Sequence, residues 1–275
     1  MATQTRRKLA EGREAEIFEW EDGSVLRLLR NPNARAQVEW EAAAMRAAAS
    51  AGVRVPAVIK TTAVDGRPGL IIERIEGIDM LAVVGKQPWH VFKIGALTGR
   101  IQAALHEVKA PQEIEPLNGQ LRRRIEHLGG LPGELKQFAL STLADLPQGD
   151  RICHGDLHPG NIMGMGDEPV LIDWTNVTAG DPMADYVRTH LMMRIGDIPP
   201  GQPFVIRYGA LVARGLMVSS YARAYRRARP IDQDAASRWE IPVAAARIGD
   251  GIHPEQPKLI ALLKKAHANA KLTPL

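Results

Sequence analysis

The chain has 275 residues, 45% apolar and 24% charged, a balance that excludes disordered and fibrous classes and allows a substantial core. A net charge of +4 suits anionic ligands, but no block of like charge gives a nucleic-acid partner a footing. The single cysteine, Cys153, excludes an internal disulfide, and no signal-peptide core or bilayer-length apolar run is present, so a cytoplasmic location without a membrane partner is expected.

The first third reads as strands around one helix. EIFEW (16–20) and SVLRLLR (24–30) flank EDG, a hairpin pattern. After NPN, the run ARAQVEWEAAAMRAAAS predicts a helix with Asn33 as its N-cap and Gly52 just past its end. On that helix Val38, Glu41, Met45 and Ala48 share one stripe, whereas Glu39 falls with Ala43 and Arg46 elsewhere. An acid on the buried stripe needs a partner, and Arg27 in VLRLL is the natural one. VRVPAVIKTTAV and GLIIERI then predict two strands around DGRPG (65–69).

From Gly77 helical periodicity takes over, with helices over about 90–107, 118–129 and 134–145. Short strand signals return at RIC (151–153), NIMGM and PVLIDW. Beyond Asp181 the pattern is helical, with proline-rich breaks at IPPGQP and RPIDQD. The change near residue 77 predicts an α+β fold with a β-rich lobe (1–76) and a larger, mainly helical one (77–275).

One stretch concentrates polar chemistry. In HGDLHPGN, Asp156 precedes Asn161 by five residues, and Asp173 follows twelve residues later at the end of VLID. Phosphoryl transfer to a hydroxyl requires this set: one carboxylate to take the acceptor's proton, an amide oxygen and a second carboxylate to hold Mg²⁺. The protein-kinase signature has the same Asp–Asn separation. A polar turn that only caps secondary structure explains Asp156 alone but not the three residues together. A transition-metal site built from His154, Asp156 and His158 leaves Asn161 and Asp173 without a task.

HGDLHPGN followed by LIDW resembles the aminoglycoside phosphotransferase and choline-kinase-like group, small-molecule relatives of the protein kinases. ERIEG (73–77), GALTGRIQAALHEV (95–108) and GDPMADYV (180–187) extend the resemblance to about residue 190. It implies a bilobal protein-kinase-like fold, with nucleotide bound by the first lobe and catalysis and acceptor binding in the second. It also implies ATP as donor, GTP being the alternative, with Mg²⁺. Asp156 would be the catalytic base, Asn161 and Asp173 the metal ligands, and Glu73, Arg74 and Ile75 the adenine hinge. Arg27, set by Glu41, would orient the phosphates. His154 would brace the loop, and His158 has no assigned role; Asp181 and Asp185 are read as mainly structural, Asp181 as an N-cap.

Two departures from the family pattern stand out: Arg27 replaces the usual strand lysine, and AEGREAEIF offers only Gly12 for a phosphate loop. They support the alternative of a catalytically degenerate nucleotide-binding protein, against which an intact Asp156, Asn161 and Asp173 speak.

Only seven residues separate Asp173 from Asp181, no room for the activation segment that seats a polypeptide, so the acceptor is expected to be a small molecule. From Asn176 onward there are fourteen Arg and Lys against eight Asp and Glu, unsuited to a polycation such as an aminoglycoside. Tyr186, Tyr208, Tyr221, Tyr225 and Trp239 could cage a choline-type cation, but spacing does not gather them. YARAYRRARP (221–230) is either a solvated helix face or an attraction for an anionic or neutral sugar-like acceptor.

Overall fold

In the computed structural model, which describes residues 6–164, 168–196 and 204–272, five antiparallel strands form the first layer. They are β1 (Lys8–Glu11), β2 (Ala15–Glu19), β3 (Ser24–Leu29), β4 (Val58–Val64) and β5 (Arg67–Glu73), ordered β1-β2-β3-β5-β4. The EDG hairpin joins β2 to β3, with Asp22 and Gly23 both at positive φ. Asp65 and Gly66 do the same between β4 and β5, the two-residue geometry that matches strand twist. β1 carries no sequence signal because it is a short, largely exposed edge strand.

β3 is central and buried along its whole length, which puts Arg27 inside the molecule. Phe18, Leu26, Leu28, Val64 and Ile71 form a small core on one side of the sheet. The helix α1 (Arg35–Ser50) belongs to the main core, with Val38, Glu41, Met45 and Ala48 buried. Its N-cap is Ala34 rather than Asn33, because Asn31 takes the backbone N–H of Asn33 in a turn before the helix. Gly52, at φ 85°, ends it as the sequence suggests, and the Val53 N–H reaches back to the Ala48 carbonyl.

The remainder is mostly helical. α2 (Met80–Lys86), capped by Asp79, precedes α3 (Val91–Leu105), α4 (Leu117–Glu126) and α5 (Gly133–Ala144). Short strands follow: β6 (Arg151–Cys153), β7 (Ile162–Met163), β8 (Val170–Leu171) and β9 (Thr178–Gly180). β6 pairs with β9 and β7 with β8. The last helices are α6 (Pro182–Ile195), α7 (Phe204–Ala228), α8 (Gln233–Ile248) and α9 (Gln256–Leu272). α2 and β9 lacked a sequence signal; each is too short for a periodicity to develop. RPIDQD does separate α7 from α8, whereas IPPGQP and the end of NIMGM lie outside the described residues.

α3 and α7 approach closely because Gly95 and Gly99 present no Cβ; one at either position would run into the α7 backbone at Met217 or Tyr221. The contact aligns Gln102 and His106 with Tyr221 and Tyr225 behind the loop that carries Asp156. No helix among the described residues is long and apolar enough to cross a membrane.

Candidate active site

A cleft of about 550 Å³ opens between the sheet and the helical part. Its walls include Gly12, Val25, Arg27, Leu70, Ile72 and the segment Glu73–Ile75 on one side, and Asp156, Met163, Ile172 and Asp173 on the other. Residues far apart in the chain thus face one space.

Asp156 and Asn161 sit on the two ends of a tight loop. Asn161 donates its amide to the Asp156 carbonyl at 2.8 Å and to Asp156 Oδ2 at 3.3 Å, which orients its side-chain oxygen the other way. Pro159 and Gly160 make the single 3₁₀ turn between them, and His158 accepts from the Gly160 N–H at 3.0 Å. The His158 ring lies 3.9 Å from Asp156 Oδ2.

His154 links this loop to the strand before Asp173. Its Nε2 donates to the Ile172 carbonyl at 3.1 Å, and its Nδ1 accepts from the Asp156 N–H at 3.3 Å. Full burial lowers its pKa, so the neutral ring serves as donor on one side and acceptor on the other. Trp174 packs edge-on against it at 5.1 Å.

The acid at the end of VLID stands just beyond its strand. β8 stops at Leu171, two residues earlier than the sequence suggests, and Asp173 takes φ 60°. That left-handed position turns the carboxylate into the cleft, where Thr175 Oγ1 donates to Oδ1 at 2.5 Å. Burial would raise the Asp173 pKa, but the Arg27 charge and the Thr175 hydrogen bond outweigh it and keep the group ionised.

Arg27 bridges the two walls. Nη1 donates to Glu41 Oε2 at 2.6 Å, and Nη2 donates to the Thr175 hydroxyl and lies 3.9 Å from Asp173 Oδ1. Gln37, one helical turn before Glu41, donates to both Glu41 Oε1 and the Thr175 carbonyl at 3.3 Å. Burial holds the Glu41 carboxyl above its usual range although Arg27 pulls it down, so the pair depends on both members.

The segment Glu73–Ile75 lines the cleft, but its charged groups are engaged elsewhere. Glu73 turns away to a two-pronged pair with Arg54, and Arg74 reaches Glu19. The Glu73 and Arg74 N–H groups are taken by Ala57 and Gly23 carbonyls at 2.9 and 3.1 Å.

Behind the loop, Asp185 is fully buried and gathers its backbone. Its carboxylate accepts the Gly155 N–H at 2.8 Å, the His154 N–H at 3.2 Å, and His106 and Gln102 at 3.0 Å. Spacing marked Asp185 as structural; only the fold shows that what it holds is the loop carrying Asp156. Asp181 caps α6 through the Met183 N–H, as its spacing before Pro182 suggests. Thr175, Gln37, Arg124 and Arg188 carried no sequence signal, since their partners Arg27, Thr175 and Asp250 lie 62 to 148 residues away.

A profile of the phosphotransferase enzyme family (APH) matches residues 5–231. The chain belongs to that family. This phosphotransferase also superposes on solved structures of similar fold. A thermostable mutant of aminoglycoside phosphotransferase APH(4)-Ia, in ternary complex with AMP-PNP and hygromycin B, aligns over 95% of this chain and 92% of its own at 16% identity, TM-score 0.65. Amicoumacin kinase hAmiN, in complex with AMP-PNP, Ca²⁺ and Ami, aligns over 99% and 90% at 15% identity, TM-score 0.61. A putative fructosamine-3-kinase from Haemophilus somnus 129PT aligns over 95% and 89% at 15% identity, TM-score 0.61. These likenesses extend the bilobal kinase-like fold over almost the whole phosphotransferase. A comparison of the sequence with curated proteins finds no match.

Proposed function

We propose that this phosphotransferase is a small-molecule kinase that moves the γ-phosphoryl group of ATP to a hydroxyl. The observation that carries the reading is that Asp156, Asp173 and the Arg27–Glu41 pair all line one cleft. Two of the similar structures hold AMP-PNP, which favours an adenine nucleotide, with GTP as the alternative donor.

The adenine would lie against Val25, Leu70 and Ile72, with the hinge at residues 73–77 joining an N-terminal nucleotide-binding lobe (1–76) to the C-terminal one. Because the Glu73 and Arg74 N–H groups are already bonded, its polar contacts would fall on the hinge carbonyls and on Ile75. Arg27 would orient the phosphates with its planar fork, fixed by Glu41.

Asn161 and Asp173 would hold Mg²⁺: both offer hard oxygen donors, and Asn161 has its amide nitrogen committed elsewhere, leaving its oxygen for the cation. No three His, Cys, Asp or Glu residues gather into a metal group among the described residues. When bound, the ion would offset charge on those phosphates.

Asp156 would orient the acceptor hydroxyl and take its proton. The acceptor oxygen bonds to the γ-phosphorus while the bond to the bridging oxygen breaks, and ADP leaves with that electron pair. Positioning and electrostatics supply most of the acceleration in such a reaction. Asp156→Asn is expected to abolish acceptor-dependent ADP release while Mg²⁺-ATP still raises the melting temperature. In Asp173→Ala that rise should itself disappear. At ~100 times its dissociation constant the nucleotide adds about 2.7 kcal/mol to wild type. Full turnover in Asp156→Asn would remove the base from the scheme.

The degenerate alternative, for which Arg27 and a single Gly12 were the grounds, predicts nucleotide binding unaffected by any hydroxyl acceptor. The Arg27–Glu41 pair at 2.6 Å weighs against it, since the cation's usual acidic partner is kept.

A further inference from the structure

Three helices send one arginine each toward a point beside the catalytic loop: Arg124 from α4, Arg188 from α6 and Arg247 from α8. Asp250, in the connection between α8 and α9, is shared by all three. Arg124 pairs with its Oδ1, and Arg188 and Arg247 reach its Oδ2 at 3.1 and 3.0 Å. Glu255 serves Arg247 alone, at 2.9 and 3.1 Å. Arg13, from the loop that lines the cleft, donates to the Asp250 carbonyl at 2.8 Å. Three guanidinium groups therefore meet two carboxylates, and a fourth, Arg13, reaches the backbone beside them. Glu14 and Asp156 face the cluster from the cleft without an ion pair to it, and Asp185 lies behind, engaged with His106.

Arg188 shows that the positive charge is not fully answered. It is 6% exposed, its Nε donates to the Gly155 carbonyl next to Asp156, and its Nη1 is buried with no partner among the described residues. Burial, then repulsion from Arg124 and Arg247, brings its pKa down to about 9. An arginine keeps its proton at neutral pH, so the cost stays in the fold. Bracing the Gly155 carbonyl needs one cation, and the Arg247–Glu255 pair closes on itself. Arg124 has only the Asp250 carboxylate, which it shares with Arg188 and Arg247, and its side chain is a quarter exposed with Asp156 in its field.

We propose that the acceptor is an alcohol bearing an oxyanion, a phosphate or a carboxylate, gripped by Arg124 with Arg188 and Arg247 behind it while the hydroxyl lies at Asp156. This rests on the kinase reading above. A guanidinium fork recognises either oxyanion in the same way, and a polycationic acceptor would meet repulsion at the same place.

The test loads the protein with Mg²⁺-AMP-PNP, which occupies the nucleotide phosphate positions, and titrates inorganic phosphate or malonate at fixed ionic strength while melting is followed. One or both should stabilise wild type saturably, and which one does so separates the phosphate from the carboxylate. Arg124→Met should weaken that anion by roughly tenfold or more, and Arg124→Lys should recover much of the loss. Stabilisation by neither anion, or equal affinity in Arg124→Met, overturns the proposal while the kinase reading stands. Failure of Mg²⁺-AMP-PNP itself to stabilise wild type overturns the kinase reading, and the proposal with it. ADP release with glycerol 3-phosphate, glycerate, glycerol and kanamycin is the second readout, and the anionic pair should lead. Glycerol or kanamycin equal to them overturns the proposal, and where none of the four is turned over the anion titration decides.

Discussion

Arg27 and Glu41 are the residues on which the two walls of the cleft depend, and their arrangement sets what substitution should do. Glu41→Gln removes the hydrogen-bonded counter-charge of a buried guanidinium and leaves it only Asp173 at 3.9 Å, which puts the cost at the lower end for a broken buried pair, about 3 kcal/mol. Denaturant unfolding of the variant should show a loss of that order. Arg27→Lys is the subtler change. The guanidinium holds Glu41 with one nitrogen and Thr175 with the other, whereas an ammonium is a single point charge. The lysine variant should keep most of the stability but loosen the Thr175–Asp173 link. Its Mg²⁺-ATP melting shift should therefore fall more than its unliganded stability does. Glu41 was legible from its place on an apolar stripe, and Arg27 from the need of a buried acid for a cation. Thr175 was not, because a hydroxyl two residues beyond Asp173 acquires a task only when β3 is laid against it.

At the scale of elements, α3 and α7 offer a contest between propensity and packing. Gly to Ala within a helix gains up to about 1 kcal/mol from propensity alone. At Gly99 the new methyl meets the Tyr221 carbonyl, the Tyr225 N–H and the Ala224 methyl, and backbone cannot step aside as a flexible side chain would. Overpacking costs about 1–3 kcal/mol, so the clash wins and Gly99→Ala should be destabilising. Gly85, in α2, has nothing within 4 Å of the same methyl. Gly85→Ala should therefore stabilise by about 0.5–1 kcal/mol. Thermal unfolding of the two variants side by side checks both signs. If Gly99→Ala proved as stable as Gly85→Ala, the close approach of the two helices would be in doubt. Of the short strands, β6, β7 and β8 carried a local signal in RIC, NIMGM and PVLIDW, whereas β9 depends on its pairing with β6.

At the scale of the molecule, Asp185 ties α3, α6 and, through His106 and Tyr225, α7 to the loop that carries Asp156. Burial would raise its pKa, but the hydrogen bond and charge of His106, with Gln102, bring it down to about 2. A carboxyl depressed in the folded state contributes stability that is complete above its unfolded value of about 3.9. The contribution is lost as pH falls from about 4 toward 2, and linkage puts it at about 2–3 kcal/mol. Stability measured against pH should fall through that window in wild type. Asp185→Asn should start lower at neutral pH and lose less across it. An unchanged acid profile in the variant would remove Asp185 from this role.

The sequence by itself determined the α+β class and singled out Asp156, Asn161 and Asp173 as candidate site residues. Those features rest on local causes: side-chain period, turn residues and a loop whose length fixes its ends. It also pointed to an excess of positive charge in the C-terminal region, without saying where that charge would be used. Tertiary structure alone decided the sharing of Asp250 by Arg124, Arg188 and Arg247, which come from three separate helices. It decided equally that Asp185 holds the catalytic loop and that Glu73 and Arg74 turn their charges away from the cleft. A charge's meaning depends on its distance from other charges and on its burial, and spacing along a chain fixes neither once the partners lie on different elements.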